Sequence, residues 1–173
     1  MSEENNTAAV GEEQAKAAPN FAIQRIYLKD ISFETPMGAE AFLQPVKPAI
    51  QQDLNIQVNQ LNEETMEVIL LLTITAKAEN RTLFLVEVKQ AGLFTVAGFD
   101  KRQVTQLINT ACPQILFPYA REAVDSILNR GSFPPLMLAP INFDAVFAQA
   151  MEQAAQQGEA GQSAAAPADA ALN

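Results

Sequence analysis

One stretch, Glu67–Val88, reading EVILLLTITAKAENRTLFLVEV, limits what this chain can become. It reads as two strands joined by a short polar turn. A hairpin with one wet face carries a polar residue at every second position. Here Val68, Leu70, Leu72 and Ile74 point one way, while Ile69 and Leu71 point the other. The sheet is therefore apolar on both sides, and each side needs cover.

Other strands flank the hairpin. In Phe21–Glu34, residues Phe21, Ile23, Tyr27, Ile31 and Phe33 share a face at period two, with Ile26, Leu28, Asp30 and Glu34 opposite. Thr35–Pro48 holds three prolines and a glycine and reads as a loop. Asp53–Leu61 alternates through Leu54, Ile56 and Val58. Beyond Val88 the strand pattern continues, with Gly92 expected at a bulge and Gly98 at the strand end.

From Asp100 the period becomes helical. Asp100 is placed to cap a short helix carrying Val104, Leu107 and Ile108, which Pro113 should break. A second helix follows, with Pro118 expected in its first turn. Its apolar face is Tyr119, Ala123, Ile127 and Ala120, Val124, Leu128, and Arg121 and Asp125 stand four apart on the wet side. Gly131 is a helix-stop signal. A proline-rich loop, Ser132–Ile141, leads to a last helix capped by Asn142 and ended by Gly158. Strands first and helices afterwards predict an α+β fold, a four-stranded antiparallel sheet with two main helices packed on one face.

The folded domain is expected over residues 21–157. Residues 1–20 are acidic and polar, and residues 158–173 are Ala-rich. Neither tail carries enough apolar surface to offset its ordering entropy, so both are expected to be disordered.

The composition excludes several kinds of function. A net charge of −9, from 20 acidic and 11 basic residues, opposes nucleic acid or an anionic membrane as partner. No segment reads as a transmembrane helix or a secretory leader, so a cytoplasmic location without membrane insertion is expected. Histidine is absent, which removes the commonest general base and metal ligand. Cys112 is the single cysteine and reads as a small buried hydrophobe. No phosphate loop or nucleophile elbow is present, so neither an enzyme nor a cofactor is expected.

Surplus apolar surface is what remains. On the sheet it is read as an oligomer interface. On the loop GSFPPLMLAP it is read either as a strap over the core or as the wall of a hydrophobic groove, held open by prolines and made adaptable by Met137. Three functions fit: a chaperone for unfolded chains, a purely structural oligomer or antitoxin-linked chaperone, and a domain binding a small apolar ligand.

The segments IQRIYLKDISFE, GLFTVAG, CPQILFPYARE and RGSFPPLMLAPINFD, in this order and spacing, resemble the SecB family of protein-export chaperones over about residues 20–155. That resemblance implies a homotetramer, a dimer of dimers. It implies holding of unfolded precursor proteins without ATP and delivery to the translocation motor SecA. By position it implies SecA docking on Asp30, Glu34, Leu85 and Glu87. It implies an influence of Tyr27, Val86, Val88 and Gln90 on dimer pairing, and a client groove near Tyr119, Phe133, Leu136 and Leu138. The Ala-rich end has no strong feature to align with the family's C-terminal tail, which also touches SecA.

Overall fold

The computed structural model describes residues 18–43 and 47–163. Four strands, β1 (Asn20–Glu34), β2 (Ala49–Gln60), β3 (Thr65–Ala78) and β4 (Arg81–Ala97), are followed by three helices, α1 (Lys101–Asn109), α2 (Ala111–Arg130) and α3 (Phe143–Ser163). The strands form one antiparallel sheet in the order β1-β4-β3-β2. The loop after β1 contains a short 3-10 helix, Gly38–Phe42.

The hairpin expected over Glu67–Val88 is β3–β4. Its turn is Glu79–Asn80, both in the left-handed region (φ 49° and 69°). That geometry matches the twist of the flanking strands, as two-residue hairpin turns require. Val68, Leu70, Leu72 and Ile74 are completely buried, with Val86, Val88 and Phe94 of β4 beside them. α2 lies over this face and adds Leu116, Ala120, Val124 and Leu128, which alternate at helical spacing.

Asp100 caps α1 in a full capping box. Its side chain accepts from Gln103 N at 2.8 Å, and Gln103 Oε1 accepts from Asp100 N at 3.0 Å. Asn142 accepts from Ala145 N at 3.0 Å and caps α3.

Several local expectations are corrected. β2 begins at Ala49, earlier than Asp53, because its pairing with β3 extends to Lys77. Gly92 sits at no bulge: it pairs normally with Ile26 and Val68, and the irregularities of the β1–β4 pair fall at Ile23/Arg25 and Leu28/Asp30. A Cβ at Gly92 would lie 2.6 Å from the Phe94 ring and 3.0 Å from Leu116, so the absent side chain admits α2. Pro113 begins a helix as well as ending one, since in the first turn of α2 its missing N–H has no helical acceptor to lose. Pro118 is consequently in the interior of α2, not its first turn. Gly131 ends α2 with a φ of −79°, so it is not there for a left-handed turn. A Cβ there would lie 2.3 Å from the Phe33 ring. Gly158 does not stop α3, which continues to Ser163, as a lone glycine costs a helix only about 1 kcal/mol. Of the tails expected to be disordered, residues 1–20 and 158–173, the parts 1–17 and 164–173 lie outside the described residues, while Asn20 begins β1 and α3 runs to Ser163.

Candidate functional site

The helix-free face of the sheet can be read in rows from β1 to β2. One row is Tyr27, Ala91, Ile69, Gln57. The next three are Asp30, Lys89, Leu71, Asn55; then Ser32, Glu87, Thr73, Asp53; then Glu34, Leu85, Thr75, Gln51. Alternation along β1 and β4 thus brings Asp30, Glu34, Leu85 and Glu87 together on one end of this face. Asp53, on the far edge strand, joins the same acidic surface and was not singled out from the sequence. It stands in the same row as Glu87, with Thr73 between them, and only the register aligns these residues 34 apart in the chain.

Cations inside this surface are paired. Lys89 Nζ donates to Asp30 Oδ2 at 3.1 Å and stands 3.5 Å from Glu87 Oε1. The hydrogen bond to Asp30, first, and the two negative charges raise the pKa of Lys89.

A second cluster missed by the sequence reading lies beside the acidic rows. The Glu67 carboxylate, almost fully buried on β3, accepts from the Tyr27 hydroxyl. It also accepts from Lys29 Nζ at 2.7 and 2.9 Å and from Asn59 Nδ2 at 2.7 Å. One side chain therefore ties both edge strands to the centre of the sheet. These hydrogen bonds, led by that of Lys29, hold the Glu67 carboxyl down at about 2. The same contact pushes the Tyr27 hydroxyl up to about 12, with desolvation second. A lone glutamate at the head of an apolar strand was the available signal, but nothing local to Glu67 identifies its partners.

Of the four residues expected to influence pairing, only Tyr27 is on this open face. The irregularities of β1 at Ile23/Arg25 and Leu28/Asp30 separate it from Phe21, Ile23, Ile31 and Phe33, with which the period-two reading grouped it, and put Ile26 and Leu28 on their side instead. Val86, Val88 and Gln90 point the opposite way, opposite Ile74, Leu72 and Leu70. They are buried within one copy, under α2 and away from the open face. The period-two alternation that exposes Leu85 and Glu87 necessarily turns them inward.

The apolar loop between α2 and α3 is fastened to α2. Asp125 Oδ1 accepts from Leu136 N at 2.9 Å and Met137 N at 3.3 Å, and Arg121 Nη1 donates to Leu138 O at 3.2 Å. Arg121 and Asp125 thus each serve the loop backbone, a use the four-residue spacing did not reveal. Phe133 is buried among the rings of Phe84 (4.9 Å between centroids), Phe42 (5.1 Å) and Phe33 (6.2 Å). Leu138 is buried too, Leu136 is half-buried, and Tyr119 is 51% exposed. Of the four residues expected at a client groove, Phe133 and Leu138 are therefore core, and only Tyr119 is well exposed. Phe42, whose ring adjoins Phe133, is 53% exposed, and Met137 of the loop is 76% exposed.

Cys112 is buried, and desolvation pushes its thiol up to about 12, far from a nucleophile's range. Among the described residues, no group of His, Cys, Asp and Glu could hold a metal ion, and no helix is long and apolar enough to cross a membrane.

An antiparallel sheet with helices on one face, an acidic open face and exposed apolar side chains suit a protein that binds other chains. Residues 14–154 match the family model described as preprotein translocase subunit SecB. The chain is 70% identical over 159 residues to the protein-export protein SecB of Cellvibrio japonicus, covering 92% of this chain and 94% of that one. It is 47% identical to the protein of the same name from Marinobacter nauticus, over 91% of this chain and 95% of that one. The chain belongs to the SecB family, an export-chaperone family and not an enzyme family. Among solved structures, the Mycobacterium tuberculosis SecB-like chaperone Rv1957, in complex with a peptide from the antitoxin HigA1, has a similar fold. Its TM-score is 0.54 at 17% identity, over 70% of this chain and 87% of that one.

Proposed function

We propose that this protein works in the cytoplasm as an ATP-independent holdase. It captures unfolded precursors on the apolar surface around the α2–α3 loop and hands them to SecA through the open sheet face. The observation that carries this reading is the set of large apolar side chains one copy leaves in water. Phe42, Tyr119 and Met137 are exposed on the 3-10 helix, α2 and the loop, Ile23 and Leu28 along edge strand β1, each about half exposed, and Val58, Val146 and Met151 on β2 and α3. Exposed apolar groups gathered in one region mark a binding site.

The β1 margin suits a second copy. Leu28 and Ile31 line a cleft of about 270 Å³ with Ala123 and Ile127 of α2, next to a strand edge open to pairing. Pairing along it, and of the resulting dimers, gives the homotetramer. Tyr27 borders the open face; Val86, Val88 and Gln90 act on pairing by setting the shape of the sheet under α2.

The loop surface suits a client. An unfolded precursor exposes apolar segments that folding would bury. Binding them withdraws the unfolded state from aggregation by mass action. Several such surfaces on one tetramer engage one long chain, so weak contacts add up to avidity. A folded protein offers no such segments and is ignored. Asp30, Glu34, Leu85 and Glu87 present negative charge around one apolar residue, complementary to a basic segment of SecA.

Glu87→Lys tests the division of labour. The variant is expected to lose most of its SecA affinity in calorimetry while still suppressing aggregation of an unfolded precursor in light scattering. Unchanged SecA binding overturns the docking assignment. Failure of the wild-type protein to suppress aggregation overturns the holdase reading.

A further inference from the structure

The acidic face contains its own cation. Lys89 faces Asp30 across the β1–β4 pair and is two residues from Glu87 on the same side of β4, and its ammonium lies 3.1 and 3.5 Å from their carboxylates. Lys29, nearby on β1, is engaged by Glu67 outside the acidic rows. Among the described residues, Lys89 is the one lysine paired with two of the four residues offered to a basic partner.

We propose that Lys89 is a built-in competitor that occupies Asp30 and Glu87 until a basic segment displaces it, and so sets how tightly the open face holds its partner. This inference rests on the reading of that face as a docking site. Lys89 is suited to yield. Its side chain is one-third exposed on a flexible four-carbon stem, and both carboxylates are reached by solvent. Exposed pairs of this kind are individually weak. An incoming cation that also gains apolar contact with Leu85 can replace Lys89, and the displaced ammonium swings into water. The consequence is moderated affinity, which suits a chaperone that must leave its partner after delivery.

The test is calorimetric titration of purified SecA into the tetramer at low ionic strength. Lys89→Met is expected to bind roughly two- to tenfold tighter, the range for freeing two weakly paired carboxylates. Lys89→Gln should tighten binding similarly, which separates loss of charge from the change in shape. Lys89→Arg, which keeps the cation, should stay near wild type. The gain should shrink at about 0.5 M salt, where screening acts within a few ångström. In the Lys89→Met background, Asp30→Asn should cost more affinity than it does in the wild type, because Asp30 is then unmasked. If Lys89→Met and Lys89→Gln bind no tighter while Glu87→Lys still abolishes binding, the face docks SecA but Lys89 is no competitor. If Glu87→Lys also leaves binding unchanged, the docking reading fails and this inference fails with it.

Discussion

Replacing Glu67 by Gln removes one negative charge and leaves nearly the same volume. In the native protein the carboxylate accepts from Tyr27, Lys29 and Asn59 while being only 6% exposed. Its pKa falls from the ordinary 4.5 to about 2. A tenfold change in proton affinity is about 1.4 kcal/mol, so this gap corresponds to ~3 kcal/mol. The Lys29 side chain is 39% exposed, so water screens part of the interaction and about half that figure is a sounder expectation. The amide adds a separate penalty. Its nitrogen cannot accept, so either Tyr27, which uses Oε1, or Asn59, which uses Oε2, loses its acceptor while Lys29 keeps the remaining oxygen, for about 1 kcal/mol more. Glu67→Gln should therefore lower stability at pH 7 by ~2.5 kcal/mol, read as a lower urea midpoint with an unchanged slope. The pH dependence fixes the cause. A depressed native pKa stabilises above the unfolded value of 4.5, and that stabilisation is lost as pH falls towards about 2. The difference between wild type and variant should be constant from pH 7 to about 5 and shrink steadily below. A variant as stable as wild type at pH 7, or a difference that does not change down to pH 3, refutes the electrostatic account of the network.

Two further outcomes concern the loop and its anchor. Asp125→Ala leaves the amides of Leu136 and Met137 without their acceptor, so hydrogen exchange of both should accelerate at least tenfold, about 1.4 kcal/mol of lost protection, while α2 core amides are unaffected. Equal exchange in variant and wild type would mean that Asp125 does not hold the loop. Gly131→Ala places a methyl into the Phe33 ring and should cost ~1–3 kcal/mol in urea unfolding, whereas the same change at Gly38, with open space around it, is penalised only by its left-handed backbone.

Much of the site's acidic half was legible because strand alternation is a local rule. Once Leu85 and Glu87 were placed on β4, Val86 and Val88 had to face the other way, and the sheet honours this. The inward position of Val86, Val88 and Gln90 was thus implicit in the same alternation. The capping roles of Asp100 and Asn142 were legible for a similar reason, since each acts within three residues. Pro118 was misread because a proline is compatible with a first helical turn, and only the packing of α2 carries the helix through it. Arg121 and Asp125 looked like partners because spacing alone cannot say that a loop backbone 11 or 17 residues onward offers better ones.

By itself the sequence determined the two apolar faces of β3 and β4, the starts of α1 and α3 and the acid-bearing positions, because all of these follow from local caps and from periods of two and about four residues. Only the tertiary structure decided that Glu67 gathers Tyr27 and Lys29 from about forty residues away and Asn59 from the other edge. It also decided that Lys89 would lie between Asp30 and Glu87, and that Phe33 would need a bare backbone at Gly131. These contacts depend on strand order and register, which no local period specifies.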